Sequence, residues 1–164
     1  MKLKEVYITS LSKFLPNQPV SNDEMESHLG MIGGKPSRAR RIVLRNNGIQ
    51  TRYYSLKEDG GLTHSNADMV IEAIKGLNVA QNEIQLLSCG TSATDQTLPS
   101  HTAMVHGLLD SPMEIVSPSG ACCSGIHAMK FGYLSIKAGE VTNAVTSGSE
   151  LISPMMMARN FESE

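Results

Sequence analysis

The segment at residues 122–138 restricts the fold more than any other part of the sequence. Drawn as a helix, it carries an apolar or small residue on nearly every side, so protein should cover it all round. Gly139 follows it directly, and glycine is the usual residue just past the C-terminus of a helix. We therefore predict a long helix buried at the centre of the molecule. Its apolar and small members are Ile126, Ala128, Met129, Phe131, Gly132, Tyr133, Leu134 and Ile136.

Short β-type segments alternate with helical patterns along the rest of the chain. Apolar residues at helical spacing follow Ser65 and Pro99, and a shorter helix is predicted at residues 21–30. This alternation is typical of an α/β fold with a largely parallel sheet. The strands are predicted at residues 6–10, 84–88, 114–116 and 143–149.

Composition limits what the 164-residue chain can do. It has 14 Lys and Arg against 16 Asp and Glu, so no basic excess is available for a run of phosphates, and nucleic-acid binding is disfavoured. No apolar stretch approaches the ~20 residues of a membrane span, and the N-terminus lacks a signal-peptide core. We therefore expect a single cytoplasmic domain, residues 1–164, with no membrane or nucleic-acid partner.

The cysteines and histidines do not predict a metal site or a disulfide. Cys122 and Cys123 are adjacent, which is not the spacing of a zinc site, so all three cysteines are interpreted as free thiols, with Cys89 packed in or beside a strand. His127 lies five residues after Cys122, roughly 140° around the same helix, which favours a core histidine over a base. No histidine pair has metal-binding H-x-x-x-H spacing, and surface positions are expected for His28, His64, His101 and His106.

A glycine-containing turn at residues 119–121 leads into the long helix and delivers Cys122 to its first turn. Unpaired N–H groups and the positive end of the helix dipole favour a thiolate there, and the same groups can hold a developing oxyanion. These are the requirements of a nucleophilic cysteine. A small packing residue at the start of a buried helix is the other interpretation.

Several short motifs occur in the same order as in one known enzyme family. The sequence resembles the thiolase-fold condensing enzymes, and in particular the N-terminal half of a β-ketoacyl-acyl carrier protein synthase III. The nucleophile segment is Gly-Ala-Cys-Cys-Ser-Gly at residues 120–125, with Ser-Gly-Ser-Glu at 147–150. Upstream lie Gly-Ile-Gln-Thr-Arg at 48–52, Thr-Ser-Ala-Thr at 91–94 and Leu-Pro-Ser at 98–100.

This resemblance implies a thiolase-like half with helices on both faces of a mixed, largely parallel sheet. It also implies an acyltransferase in which Cys122 takes an acyl group from coenzyme A or acyl carrier protein and condenses it with malonyl-acyl carrier protein, in fatty-acid or related polyketide or pigment-lipid synthesis. Cys123 is the alternative nucleophile. The catalytic His and Asn belong to the family's C-terminal half, which this chain is expected to lack, so the chain alone is expected to be inactive in condensation. A homodimer is implied, and no cofactor.

Three further residues acquire roles from the same resemblance. Leu98 stands where the family places a residue that reaches across the dimer into the acyl pocket, although an ordinary loop leucine fits the position too. Arg45 and Arg52 lie near the family's entrance for coenzyme A or the carrier protein. In synthase III enzymes a Trp in this region commonly stacks on the adenine of coenzyme A, and the corresponding position here is near Ile42. The resemblance therefore favours acyl donors carried on acyl carrier protein over coenzyme A.

Two other functions stay open. One is another thiolase-superfamily activity, of the thiolase or hydroxymethylglutaryl-coenzyme A synthase type, although the blocks at residues 48–52 and 98–100 speak against it. The other is a non-catalytic partner for dimerisation or chain-length control, which would have no need of a thiol at the helix start.

Overall fold

The computed structural model describes residues 4–162. Two compact units make up this part of the chain, one from residues 4–14 and 65–151 and the other from residues 15–64 and 152–162. The helices are α1 Met25–Leu29, α2 Arg40–Asn47, α3 Asn66–Lys75, α4 His101–His106 and α5 Ser124–Ala138. The strands are β1 Val20–Ser21, β2 Thr51–Arg52, β3 Leu86–Gly90, β4 Glu114–Val116 and β5 Ala144–Gly148.

A three-stranded parallel sheet forms the centre of the first unit, in the order β4-β3-β5. Leu86 pairs with Glu114 on one side and with Ala144 on the other. Every residue of β3 is buried, as expected for a central parallel strand covered on both faces. The prediction of a largely parallel α/β sheet is confirmed.

Helices cover both faces of this sheet. On one face, Leu87, Cys89 and Val145 share a buried apolar cluster with residues of α3 and α4. A capping box closes the start of α3: the Ser65 hydroxyl accepts from the Asp68 N–H, and the Asp68 carboxylate accepts from the Ser65 N–H. The opposite face carries α5, which packs on β3 and β5.

Glycines let α5 approach the sheet closely. A Cβ on Gly90 would lie 2.1 Å from the backbone oxygen of Ser124, so no larger residue fits there without moving the helix. Gly125 and Gly148 meet across the same interface, since a Cβ on either would lie 3.0 Å from the other's Cα. The start of α5, and therefore the loop before it, is held directly over the ends of β3 and β5.

The burial of α5 is narrower than the all-round apolar pattern predicts. Its buried residues, Ser124, Ala128, Gly132 and Ser135, form one stripe towards the sheet. Ile126 is 67% exposed and Leu134 is 49% exposed. Within residues 4–162, the helix thus has its predicted central position against the sheet and presents a second apolar face to solvent.

The first predicted strand, at residues 6–10, is wrong. No strand is assigned there, and Tyr7 and Ile8 are largely exposed. A hydrogen bond from the Lys4 N–H to the Lys137 carbonyl ties down the start of the segment. Its β-branched and aromatic composition favours a strand only where a neighbouring strand edge is free to pair with it.

The second unit has little regular structure. Strands β1 and β2 pair antiparallel, and the predicted helix at residues 21–30 is confirmed as the shorter α1, with Gly30 following its last residue. Helix α2 ends at Asn47 and is followed by Gly48, whose φ of 69° is in the left-handed region. Among residues 4–162, no helix is long and apolar enough to cross a membrane.

Candidate active site

Cys122 lies immediately before α5 rather than in its first turn. Residues Ala121–Cys123 form a short 3-10 turn, and the α-helix begins at Ser124. Both neighbouring thiols, Cys122 and Cys123, are exposed. The sequence places the cysteine at the correct end of the correct helix, and the tight turn shifts it just outside the regular helical segment.

The turn is held by its own backbone and by one serine. The Ser124 hydroxyl donates to the Ala121 carbonyl at 2.7 Å and accepts from the Gly120 N–H at 3.1 Å. The Cys123 N–H donates to the Gly120 carbonyl at 2.9 Å. Ala121 adopts a φ of +48°, an uncommon value for a residue with a side chain, and strained backbone of this kind is often found at functional sites.

His127 supports the same loop from the outside. One of its ring nitrogens, Nδ1, donates to the Ser119 carbonyl at 3.1 Å. Its ring also packs against Gly120, where a Cβ would lie 2.4 Å from Nδ1. The predicted core position for this histidine is wrong, because the side chain is exposed. The hydrogen bond from Nδ1 to the Ser119 carbonyl gives His127 a structural role, in which it holds the loop before α5.

A cavity of about 390 Å³ opens beside Cys122 within the first unit. Among the described residues, Cys122 lines this cavity and the neighbouring Cys123 does not. The start of α5 forms one side, and the ends of β3 and β5 form the other. The lining residues are Gly90, Cys122, Gly125, Ile126, Met129, Thr146, Ser147, Gly148, Ser149 and Glu150.

Two lining residues connect the cavity to neighbouring elements, Glu150 to the loop that follows β3 and Ser149 to the start of α4. The Glu150 carboxylate accepts from the Ser92 N–H at 2.8 Å and from the Ser92 hydroxyl at 2.9 Å. Ser149 Oγ lies 3.1 Å from Nε2 of His101. His101 is only 2% exposed, so its predicted surface position is wrong.

Sequence reasoning therefore missed His101 and Ser149 as site residues. A signal existed for His101, because Val105 follows it four residues later, and both are buried on α4. Residues at this spacing share one face of a helix. For Ser149, nothing in the sequence shows that its hydroxyl reaches His101, since the two are 48 positions apart.

The third thiol, Cys89, is buried and is not among the residues that line the cavity. It is 1% exposed, and burial raises its pKa to about 11. Iodoacetamide at pH 8 should therefore modify Cys122 and Cys123 in the folded protein and leave Cys89 unmodified, because the thiolate is the reacting form. Peptide mass spectrometry would measure this, with urea-unfolded protein, in which all three should react, as the control. Equal modification of all three in the folded protein would contradict the burial.

The remaining predicted site residues lie elsewhere. Leu98 lies in the loop before α4, is 82% exposed and is not among the residues that line the cavity. Arg45 and Arg52 belong to the second unit. Arg45 is exposed on α2, whereas the Arg52 guanidinium donates to the Val20 carbonyl and to the Asn22 side chain. No group of three or more His, Cys, Asp and Glu able to hold a metal occurs among residues 4–162.

The chain is similar to known β-ketoacyl-[acyl-carrier-protein] synthase III sequences and structures. It is 25% identical to the β-ketoacyl-[acyl-carrier-protein] synthase III of Ehrlichia canis over 94% of its own length and 46% of the relative's. The synthase III structure of Thermus thermophilus superposes with a TM-score of 0.65 at 18% identity, covering 87% of this chain and 42% of that one. The tetronic acid condensing enzyme AbyA1 gives 0.65 at 20% identity, over 88% and 43%.

These matches show which fold the chain has and which sequences it is similar to. No protein-family model matches the sequence. The chain spans about half the length of the curated relatives it matches. The parallel sheet with helices on both faces, the superposition on synthase III structures and the similarity to synthase III sequences all indicate the same fold. The chain therefore has a thiolase-type α/β fold and is related in sequence to β-ketoacyl-[acyl-carrier-protein] synthase III.

Proposed function

We propose that this chain supplies the nucleophile of an acyltransferring condensing enzyme, with Cys122 as the residue that carries the acyl group. The observation that carries the proposal is the position of Cys122, exposed on the wall of an open cavity at the start of α5. The names of its relatives support the reaction class, because they are β-ketoacyl-[acyl-carrier-protein] synthases. Cys123, which is exposed but outside the cavity lining, is the alternative nucleophile.

The reaction has two halves. The Cys122 thiolate attacks the carbonyl carbon of an acyl thioester, the bond from that carbon to the carrier's sulfur breaks, and coenzyme A or acyl carrier protein leaves as its thiolate. Malonyl-acyl carrier protein then loses carbon dioxide, and the resulting carbanion attacks the acyl carbonyl. The bond to sulfur breaks, Cys122 is released as a thiolate, and a 3-oxoacyl-acyl carrier protein is formed.

The start of α5 suits the first half of this reaction. The first backbone N–H groups of a helix have no partner within it, and they point to the side on which Cys122 lies. Donors of this kind stabilise the oxyanion that forms when a thiolate adds to a carbonyl. The second half needs groups that assist decarboxylation, and we expect the His and Asn that do so in the resembling enzymes to come from outside residues 1–164.

Carrier and subunit contacts are part of the proposal. Arg45 has its side chain exposed on α2, where it can meet an acidic carrier protein or coenzyme A. Arg52 is the weaker candidate, because its guanidinium already binds Val20 and Asn22. We propose that Leu98, whose side chain is 82% exposed, reaches the acyl pocket of a second subunit in a homodimer.

Product formation tests the proposed function. The protein is expressed from its complete gene, so that every segment the gene encodes is present. It is incubated with malonyl-acyl carrier protein and with a series of acyl donors, each supplied both as acyl-CoA and as acyl-acyl carrier protein. The expected result is a carrier-bound 3-oxoacyl product, seen by mass spectrometry, with one carbon dioxide released per product. Neither product nor carbon dioxide with any acyl chain would contradict the proposal.

A further inference from the structure

His101 is a buried histidine that the proposed reaction does not yet use. It is the first residue of α4 and is 2% exposed. Its Nε2 lies 3.1 Å from Ser149 Oγ, and its Nδ1 is buried and has no hydrogen-bond partner among the described residues. A buried histidine that has one nitrogen without a partner among the described residues, and the other against the hydroxyl of a residue that lines the cavity, is an arrangement that requires a physical explanation.

The free nitrogen indicates which tautomer is present. An orphaned buried N–H is rarer than an acceptor that lacks a partner, so we assign the proton to Nε2 and the lone pair to Nδ1. Burial lowers the pKa of His101, although the charges of Asp95 and Glu150 act in the opposite direction, and the ring is therefore neutral at pH 7. In this form Nε2 donates to Ser149 Oγ.

This tautomer leaves the proton of the Ser149 hydroxyl available to the cavity. Its oxygen accepts from His101, and the backbone N–H of the same serine is already used by the Gly90 carbonyl at 3.2 Å. The side-chain O–H is thus the one donor that Ser149 can offer a ligand. Cys122 lines the same cavity, so a carbonyl group that reaches the thiol enters a space that Ser149 also lines.

We propose that Ser149 is a catalytic residue that donates a hydrogen bond to the carbonyl oxygen of the thioester attacked by Cys122, and that His101 is a positioning residue that holds this hydroxyl in the donating orientation. The inference rests on the proposed function and adds to it a side-chain donor. A serine hydroxyl contributes most when negative charge develops on the carbonyl oxygen, so its effect falls on the rate of acylation more than on binding.

The test compares two reactions of the same thiol in the protein expressed from its complete gene. Acylation of Cys122 by an acyl-CoA or an acyl-acyl carrier protein forms an oxyanion. Alkylation of Cys122 by iodoacetamide, followed at that residue by peptide mass spectrometry, displaces iodide and forms none. We expect Ser149→Ala to slow acylation by about 10- to 100-fold, with little change in KM, and to leave alkylation unchanged. Ser149→Thr keeps the hydroxyl and should acylate within a few-fold of wild type.

Variants of the histidine complete the experiment. His101→Gln retains a side-chain N–H donor and should keep most of the acylation rate, whereas His101→Leu should slow acylation as Ser149→Ala does. Wild-type protein that is acylated no faster than Ser149→Ala would overturn the inference and leave the proposed function standing. Equal slowing of alkylation in Ser149→Ala would also overturn it, because the serine would then act on the thiol or on the fold. Wild-type protein that is never acylated would overturn the proposed function, and this inference with it.

Discussion

Replacing Gly90 with alanine is expected to destabilise the protein by about 3 kcal/mol, the upper end of what overpacking a core usually costs. The added Cβ would lie 2.1 Å from the Ser124 carbonyl oxygen and 2.3 Å from its carbon. These are backbone atoms at the first residue of α5, which cannot rotate away as a side chain would. The helix must move off the sheet, and the Cys122 turn must move with it. Urea unfolding followed by circular dichroism would measure the loss.

Gly107→Ala is the matched control. Gly107 follows α4 with a φ of −63°, and the atoms nearest to an added Cβ lie 3.5 Å away, which is ordinary contact. Alanine there should be neutral or stabilise the fold by several tenths of a kcal/mol, because it restricts the unfolded chain. If Gly90→Ala and Gly107→Ala had the same urea midpoint as the wild type, the close approach of α5 to β3 would be incorrect.

Replacing Cys122 with alanine should have the largest effect on chemistry. Removing a nucleophile abolishes the covalent route, and in a well-studied protease such a change costs about a million-fold in rate. We expect acylation of the Cys122→Ala protein by acyl-CoA to fall at least 1000-fold, to the limit of detection by intact-protein mass spectrometry. Because alanine is smaller than cysteine and the site is exposed, the fold should be unaffected.

Cys123→Ala is the control for this variant, since it removes the neighbouring exposed thiol. It should be acylated at close to the wild-type rate, because Cys123 is not among the residues that line the cavity. The opposite pattern, with Cys123→Ala inactive and Cys122→Ala acylated normally, would assign the reaction to Cys123.

The elements that could be predicted from the sequence are those with strong local signals. The helix predicted from Ser65 begins with a capping box, and β3 and β5 are short runs rich in β-branched or apolar residues between turn residues. The termination of α5 at Gly139 follows from the left-handed conformation found there, with a φ of 87°. The position of Cys122 at the start of α5 is also predictable locally, because a glycine-containing turn precedes a continuous helical pattern.

What could not be predicted depends on contacts between distant parts of the chain. Whether residues 6–10 form a strand depends on an available sheet edge, which local composition does not report. Burial of His101 depends on the packing of α4 against β3 and β4, and its bond to Ser149 on where β5 ends. The exposure of Ile126 depends on what covers the outer face of α5, and an apolar pattern shows only that the face is suited to burial.

Locating the acyl group in the wild-type protein tests the central claim most directly. The protein expressed from its complete gene is incubated in parallel with an acyl-CoA and with the matching acyl-acyl carrier protein. It is then digested under acidic conditions that preserve thioesters and sequenced by tandem mass spectrometry with fragmentation between residues 122 and 123. The acyl mass is predicted on Cys122. An acyl mass on Cys123 alone, or no acyl mass on either cysteine, would contradict it.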